Sequence, residues 1–407
     1  MLDNSGETAL RKRVCVISLA LPIEIDPRTS RQVEYLAKEY DVTLIGFGKP
    51  SKDWTHIIWK PVDRHVSRLR FVAELVLLIL ARLIPSLYDV WLNIRPRYRQ
   101  ALAYALESQA DVFHASDWAT VSVACEAKRR TGARVVFDND EYWPLFEQSN
   151  RLWTLFFSPL IKYVLRKYSR EVDASITVSK PIAERYQQEY GLESILIYNV
   201  PEYEVVPQHD TDPQRIRLIH HGSALRNRHL ETMIQAVPLL DQRFTLDLML
   251  AYSEPGYLEA LKALAARTAP NRIFFRDPVT MTEVVQRISD CDIGLCYMAP
   301  TTYTWLMTLP NKLFEFIVAE LAVVSGPSPA MAEIVRDFNV GWVAPGFEAS
   351  DLAAVLNPLT LEQIQAARAS AREAAKVLNA EVEIKKMLAL YQRLLDQQPN
   401  SKVSHVH

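Results

Sequence analysis

The residues best suited to chemistry lie in two segments of the second half of the chain. One is L-P-N-K-L-F-E, from Leu309 to Glu315. Pro310 precedes a helical pattern and Asn311 stands where an N-cap is expected. The first turn, with Asn311, Lys312 and Leu313, then offers backbone N–H groups and a positive dipole end to an anion. Lys312 adds a cation. Glu315 falls four residues after Asn311, on the same helix face. A carboxylate there either grips two hydroxyls of a ribose while the helix end meets a diphosphate, or is a solvated charge on a capped helix. The other segment is H-H-G-S-A-L-R-N-R-H-L, from His220. Gly222 ends a strand and lets a ligand approach the backbone. Ser223, Arg226 and Arg228 follow, and the two guanidiniums suit phosphate oxygens. Paired arginines also occur in surface loops that bind nothing.

The first half supplies carboxylates at strand ends. Asp117, Asp140 and Glu141 are candidates for substrate contact or proton transfer, or else cap helices; His114 lies in the same region as Asp117. Asp138-Asn139-Asp140 has a D-x-D form that can hold a divalent metal, but Asp290-Cys291-Asp292 has it too, so the form discriminates little. Several other chemistries are excluded by spacing. The 11 glycines contain no G-x-G-x-x-G and no P-loop, and the 9 histidines no H-E-x-x-H. No G-x-S-x-G elbow occurs. Cys291 and Cys296 share one apolar strand with no second pair to complete a zinc site, and read as packed thiols.

These residues need a frame to hold them. Short apolar runs at Val14–Leu19, Val42–Phe47, Val112–His114, Val135–Phe137 and Ser175–Val178 alternate with helical patterns at Arg31–Glu39, Tyr98–Ser108, Ala119–Arg130 and Pro159–Arg170. The alternation restarts after 201–214, a polar stretch with Pro201, Pro207 and Pro213. Strands are expected at Ile216–His220, Thr245–Ala251, Ile273–Phe275, Ile293–Tyr297 and Val323–Ser325. Helices are expected at His229–Leu239, Asn311–Glu320, Met331–Asp337 and from Leu361 to about Leu395. The pattern predicts an α/β protein of two doubly wound, Rossmann-like domains facing each other across a cleft. Residues 1–200 form the first domain, 201–214 a linker and 215–380 the second domain. A C-terminal helix, 381–396, crosses back to the first domain, and 397–407 is a mobile tail.

In this order and spacing, the segments resemble family 4 glycosyltransferases of the two-Rossmann (GT-B) architecture. D-V-F-H-A-S-D-W from Asp111, R-V-V-F-D-N-D-E-Y-W from Arg134, I-T-V-S-K from Ile176, I-Y-N-V-P-E from Ile197 and V-G-W-V-A-P-G from Val340 extend the likeness over nearly the whole chain. The resemblance implies a retaining transfer of sugar from a nucleoside-diphosphate sugar to a hydroxyl acceptor, on a glycan or lipid-linked glycan. Gly222 would meet the donor phosphates. Arg228 takes the place of the family's second basic residue after that glycine. Ser223 replaces the first, with Arg226 as its substitute. Glu315 corresponds to the second glutamate of an E-x7-E element and would hold the ribose. The first glutamate falls on Met307. Ser116 and Asp140 stand where many members have histidine. Arg226, Arg228, Lys312 and the helix N-terminus would carry the leaving-group charge, so neither metal nor cofactor is expected. The alternatives are a non-catalytic relative that binds partners, or another two-Rossmann enzyme such as a sugar-nucleotide epimerase.

Composition is consistent with this. The 407 residues suit two domains, and 46 basic against 48 acidic residues leave a net charge of −2, which argues against nucleic acid as a partner. No signal-peptide pattern opens the chain, so a cytoplasmic protein is expected. Two stretches read either as core helices with solvated ends or as contacts with the inner face of the cell membrane. Phe71–Ile84 and Leu152–Leu165 are apolar, too short to span a bilayer, and flanked by arginines. Two ordinary core helices would give the same pattern.

Overall fold

The computed structural model describes residues 11–50, 54–63 and 68–396. The expected tail at 397–407 lies outside the described residues. The chain divides into two compact units. One is built from the chain up to Ile197 together with the segment from Ile384 onward; the other is Tyr198–Glu383.

The first unit holds strands β1 (Arg13–Ile17), β2 (Asp41–Gly46), β3 (Ile57–Pro61), β4 (Val112–Ala115), β5 (Arg134–Asp138), β6 (Ala174–Thr177) and β7 (Ser194–Leu196). They pair in the order β3-β2-β1-β4-β5-β6-β7, all parallel. Its helices are α1 (Pro27–Glu39), α2 (Arg68–Ala81), α3 (Leu87–Ile94), α4 (Pro96–Glu107), α5 (Thr120–Thr131), α6 (Ser158–Tyr168) and α7 (Lys180–Tyr190). A sheet covered on both faces needs strands that are apolar on both faces. Val14, Cys15, Val16 and Ile17 of β1 are all buried accordingly. Asp26 starts α1 by accepting from the Thr29 N–H at 3.0 Å, with Pro27 in the first turn.

The second unit holds β8 (Ile216–Ala224), β9 (Phe244–Ser253), β10 (Ile273–Arg276), β11 (Ile293–Cys296), β12 (Ala322–Ser325) and β13 (Gly341–Val343). Their order is β10-β9-β8-β11-β12-β13, again all parallel. The helices are α8 (Glu231–Ala236), α9 (Tyr257–Thr268), α10 (Val284–Ile288), α11 (Tyr303–Met307), α12 (Asn311–Val318), α13 (Pro329–Asp337), α14 (Ala349–Leu356) and α15 (Leu361–Ala375); α16 (Ala380–Asp396) ends the described chain. Both units are doubly wound and Rossmann-like. In each, strand order reverses once, between β1 and β4 and between β8 and β11, and ligands in such sheets bind beyond the strand ends at that crevice.

Three expectations are corrected. The helix expected from Leu361 to Leu395 is two helices, because the chain breaks between Ala375 and Ala380. There Asn379 caps the new start, its Oδ1 accepting from the Val382 N–H at 3.0 Å. The stretch 201–214 is not a free linker: Val206 and Thr211 are buried, and Arg368 donates to the His209 carbonyl and to Thr211 Oγ1. Asn311 is the first residue of α12 rather than its cap, which is Pro310. The end of the chain completes the first unit's core, where Met387, Leu390, Tyr391 and Leu394 of α16 pack with Val14, Val16 and Val112.

Candidate functional site

In the second unit the reversal of strand order sets the crevice between the ends of β8 and β11. Gly222, near the end of β8, has φ +126°, a conformation that suits glycine. A side chain there would also meet two cations: a Cβ would lie 3.3 Å from Arg228 Nη1 and 3.3 Å from Lys312 Nζ. Two cations therefore converge on bare backbone. Arg228 is held by the Ser223 carbonyl, to which its Nη1 donates at 3.3 Å, and stands 5.8 Å from the Trp305 ring centre.

Lys312 is buried. Its Nζ faces His220 Nε2 at 3.3 Å and Met298 Sδ at 3.5 Å, while His220 Nδ1 is 2.9 Å from the Leu295 carbonyl. Burial, and then the Arg228 charge, lower its pKa to about 8. His220 is pushed well below the usual histidine value by its own burial and by Lys312, so it stays neutral. Two cations facing the same glycine, beside a neutral histidine, make a site whose charge calls for an anion.

Helix α12 brings Lys312 to this point because it is anchored on the sheet. Phe316 lies against Gly294 of β11, where a Cβ would come within 2.2 Å of the ring. One turn from the helix start, Glu315 Oε2 lies 3.2 Å from His221 Nε2. Asn311 Oδ1 accepts from Asn199 Nδ2 at 2.9 Å. Two other expected residues have partners within the fold. The Leu313 side chain is fully buried and its N–H bonds to the Pro310 carbonyl. Arg226, the expected substitute for the missing first basic residue, has its guanidinium 3.6 Å from Glu254 and 4.9 Å from the Tyr257 ring centre.

In the first unit, the crevice between the ends of β1 and β4 opens into a cavity of 440 Å³, lined by Arg95, Arg97, Asp117, Asp140, Glu141 and Trp143 among others. Asp117 spends both oxygens on backbone: Oδ1 accepts from Ala119 and Thr120, Oδ2 from Leu19 at 3.0 Å. It ties the β1 loop to the start of α5. His114 is corrected as a catalytic candidate. It is fully buried, its Nδ1 2.6 Å from Tyr391 Oη and its Nε2 3.7 Å from Asp138, so it reaches no acceptor.

Asp138 is clamped by Arg28, at 2.9 and 2.8 Å, and by Gln32 at 2.6 Å. The D-x-D form therefore does not present two open carboxylates. Among the described residues no group of three or more His, Cys, Asp or Glu is placed to hold a metal ion. Asp140 and Glu141 differ from Asp138. Asp140 Oδ1 and Glu141 Oε2 are shielded from solvent without a hydrogen-bond partner. Burial, then the Asp138 charge, push Asp140 up to about 8. Burial, then Asp140, raise Glu141 as well. Two acids kept protonated in a cavity are poised to donate to, or later take a proton from, an incoming hydroxyl.

Sequence reasoning missed Arg28, His220, His221, Met298 and the cavity's aromatic wall. A buried Arg in a first helix turn or a histidine inside a strand carries no motif of its own. Only the neighbouring Gly222 marked the place.

The sequence model of Glycosyltransferase Family 4 matches residues 29–201, and that of Glycosyl transferases group 1 matches residues 215–360. No curated protein matches the chain. Among solved structures, Anabaena Alr3699/HepE in complex with UDP is similar at TM-score 0.67 and 14% identity, covering 94% of this chain and 99% of that one. Sucrose-phosphate synthase from Thermosynechococcus elongatus aligns at 0.69 and 15%, with the same coverage. A glycosyltransferase from Rickettsia africae aligns at 0.65 and 13%, covering 95% and 99%. At these identities the likeness speaks to the fold.

Proposed function

We propose that this chain, whose two units are the two domains of a GT-B glycosyltransferase related to family 4, moves a sugar from a nucleoside-diphosphate sugar to a hydroxyl of a glycan or lipid-linked glycan. The observation that carries the reading is the meeting of Arg228 and Lys312 over Gly222, with Glu315 one turn further along α12. This grouping suits a nucleoside diphosphate. The diphosphate lies on the glycine backbone between the cations, and the ribose hydroxyls donate to Glu315. As the sugar leaves, charge grows on the diphosphate. Arg228, Lys312 and the first turn of α12 meet it without a metal.

The acceptor hydroxyl is served by Asp140 and Glu141, and the transfer proceeds with retention of configuration. UDP and UDP-glucose bound to Alr3699/HepE support a nucleotide-sugar donor here. The protein works on the cytoplasmic side, in peripheral contact with the membrane.

A thermal-shift panel of nucleoside diphosphates and their sugars, with and without Mg²⁺, tests this. At least one nucleoside diphosphate should stabilise the protein in both conditions. Glu315→Ala should weaken that nucleotide about 10- to 100-fold, the cost of losing bonds to a charged acceptor. An unchanged affinity in the variant would remove Glu315 from the ribose. Nucleotide binding with no hydrolysis or transfer of any sugar would favour the binding-module reading, to which apolar Met307 lends weight.

A further inference from the structure

The first unit carries an apolar surface that its own fold leaves uncovered. Along α2 and just beyond it, Leu69, Phe71, Val72, Val76, Ile79 and Leu83 are exposed, Leu69 by 86% and Leu83 by 83%. The opposite side of α2 is buried through Leu78, Ala81 and Glu74. Glu74 is neutralised there by Arg95 at 3.0 Å and Arg70 at 3.5 Å. The helix is 14 residues long, about 21 Å, and no helix among the described residues is long and apolar enough to cross a membrane.

The second apolar stretch joins this one. Tyr163 and Lys167 of α6 both bond Asp89 of α3, at 2.8 and 2.7 Å, and Tyr88 packs on Tyr163 at 5.2 Å between ring centres. A hollow of 400 Å³ where the two stretches meet is rimmed by Arg82, Arg166 and Lys167. From Arg70 to Arg99 the sequence has five basic residues and two acidic ones, Glu74 and Asp89, both already paired. From Arg151 to Arg170 it has five basic residues and no acid.

We infer that this face docks on an anionic lipid bilayer, with α2 lying in the headgroup layer. Exposed apolar side chains beside the exposed arginines Arg82 and Arg166 are what such a surface binds. A second copy of the chain is a poorer occupant, since a two-fold contact would bring the same arginines together. The cavity gives the docking a purpose. The turn Trp153–Phe157 before α6 sends Trp153 and Phe157 into the cavity wall while Leu155 stays exposed, and Arg95 both lines the cavity and pairs with α2. An acceptor anchored in the bilayer would thus meet Asp140 and Glu141 without leaving it. That last step rests on the glycosyltransferase reading; the docking itself needs neither donor nor turnover.

Sedimentation of the full chain with vesicles tests it, using phosphatidylcholine alone or with about 30% phosphatidylglycerol, at about 0.1 and 0.5 M salt. Binding should be at least about tenfold tighter to the anionic vesicles, and should weaken at the higher salt. The double variants Phe71→Glu with Leu83→Glu, and Arg82→Glu with Arg166→Glu, should each lose about tenfold or more. Their melting temperature and nucleotide affinity should not change, because all four side chains are exposed. No preference for anionic vesicles, or variants that bind like the parent, would overturn the inference. So would a concentration-dependent dimer that Phe71→Glu with Leu83→Glu dissolves while the parent ignores vesicles.

Discussion

At the scale of single residues, both candidate sites hold charged groups away from their ordinary values. Lys312 has a pKa of about 8 because burial and Arg228 oppose its proton, with His220, Met298 and Glu315 as its other neighbours. A bound diphosphate would favour the charged form. Nucleotide affinity should therefore be steady up to about pH 7 and fall as the pH passes 8, where free Lys312 loses its proton. Calorimetric titration across that range, with Lys312→Met as control, checks this. The variant should bind about tenfold or more weakly at pH 7, with the fall near pH 8 gone.

Asp140 behaves in the opposite sense. Its folded pKa of about 8 lies above an unfolded value near 3.9. The folded state holds the extra proton, so this contribution to stability is full below about pH 4 and lost as the pH rises through 8. Glu141, Asp138, Asp117, Asp26 and Arg28 are the charged groups that bear on it. Asp140→Asn should match the parent in acid and be about 1–2 kcal/mol more stable near pH 9. Denaturant melts at both pH values would show it, and a parallel loss of transfer activity would place Asp140 at the acceptor.

At the scale of elements, the sites depend on how helices are seated on strands. Lys312 and Glu315 reach their partners because Phe316 of the same helix rests on Gly294. Gly294→Ala would force that ring away and should cost about 1–3 kcal/mol, with a loss of nucleotide affinity as α12 shifts. A variant that is destabilised but binds normally would separate the seating of α12 from the site.

Most of this level was legible in the sequence. Buried parallel strands such as Val14–Ile17 announce themselves as apolar runs, and L-P-N-K-L-F-E marks a helix start because proline and asparagine have positional preferences. Less regular pieces were not legible. Strand β3, half exposed at the sheet edge, lacks a clean pattern, and the break between α15 and α16 is set by one asparagine cap. Asp117 could be named but not assigned, since a carboxylate that caps a loop and one that meets a substrate have the same letter. Tertiary neighbours alone distinguish Asp117, with its three backbone bonds, from Asp140, with an orphaned oxygen.

At the scale of the whole molecule, the chain builds two compact units but not from two separate lengths. The second unit packs Ile216, Leu218, Phe244 and their neighbours entirely from within Tyr198–Glu383. The first unit must wait for the end of the chain, because Met387, Leu390, Tyr391 and Leu394 fill its core. Tyr391 also supplies the partner of buried His114, which in turn faces Asp138. Ending the chain at Glu383 would strip five large buried side chains, Ile384 as well as these four, and leave His114 with an unmet polar atom in the interior. Losses of that kind run to about 2–5 kcal/mol for each large side chain, enough together to unfold a domain. The second unit loses nothing from its core in the same truncation. The shortened chain should therefore show a proteolysis-sensitive first unit beside a protected second one, and that second unit should still bind a nucleoside diphosphate. A truncated chain that keeps both units protected would mean that α16 contributes less to the first core than its buried face implies, and a loss of nucleotide binding would mean that the donor site is not complete within the second unit.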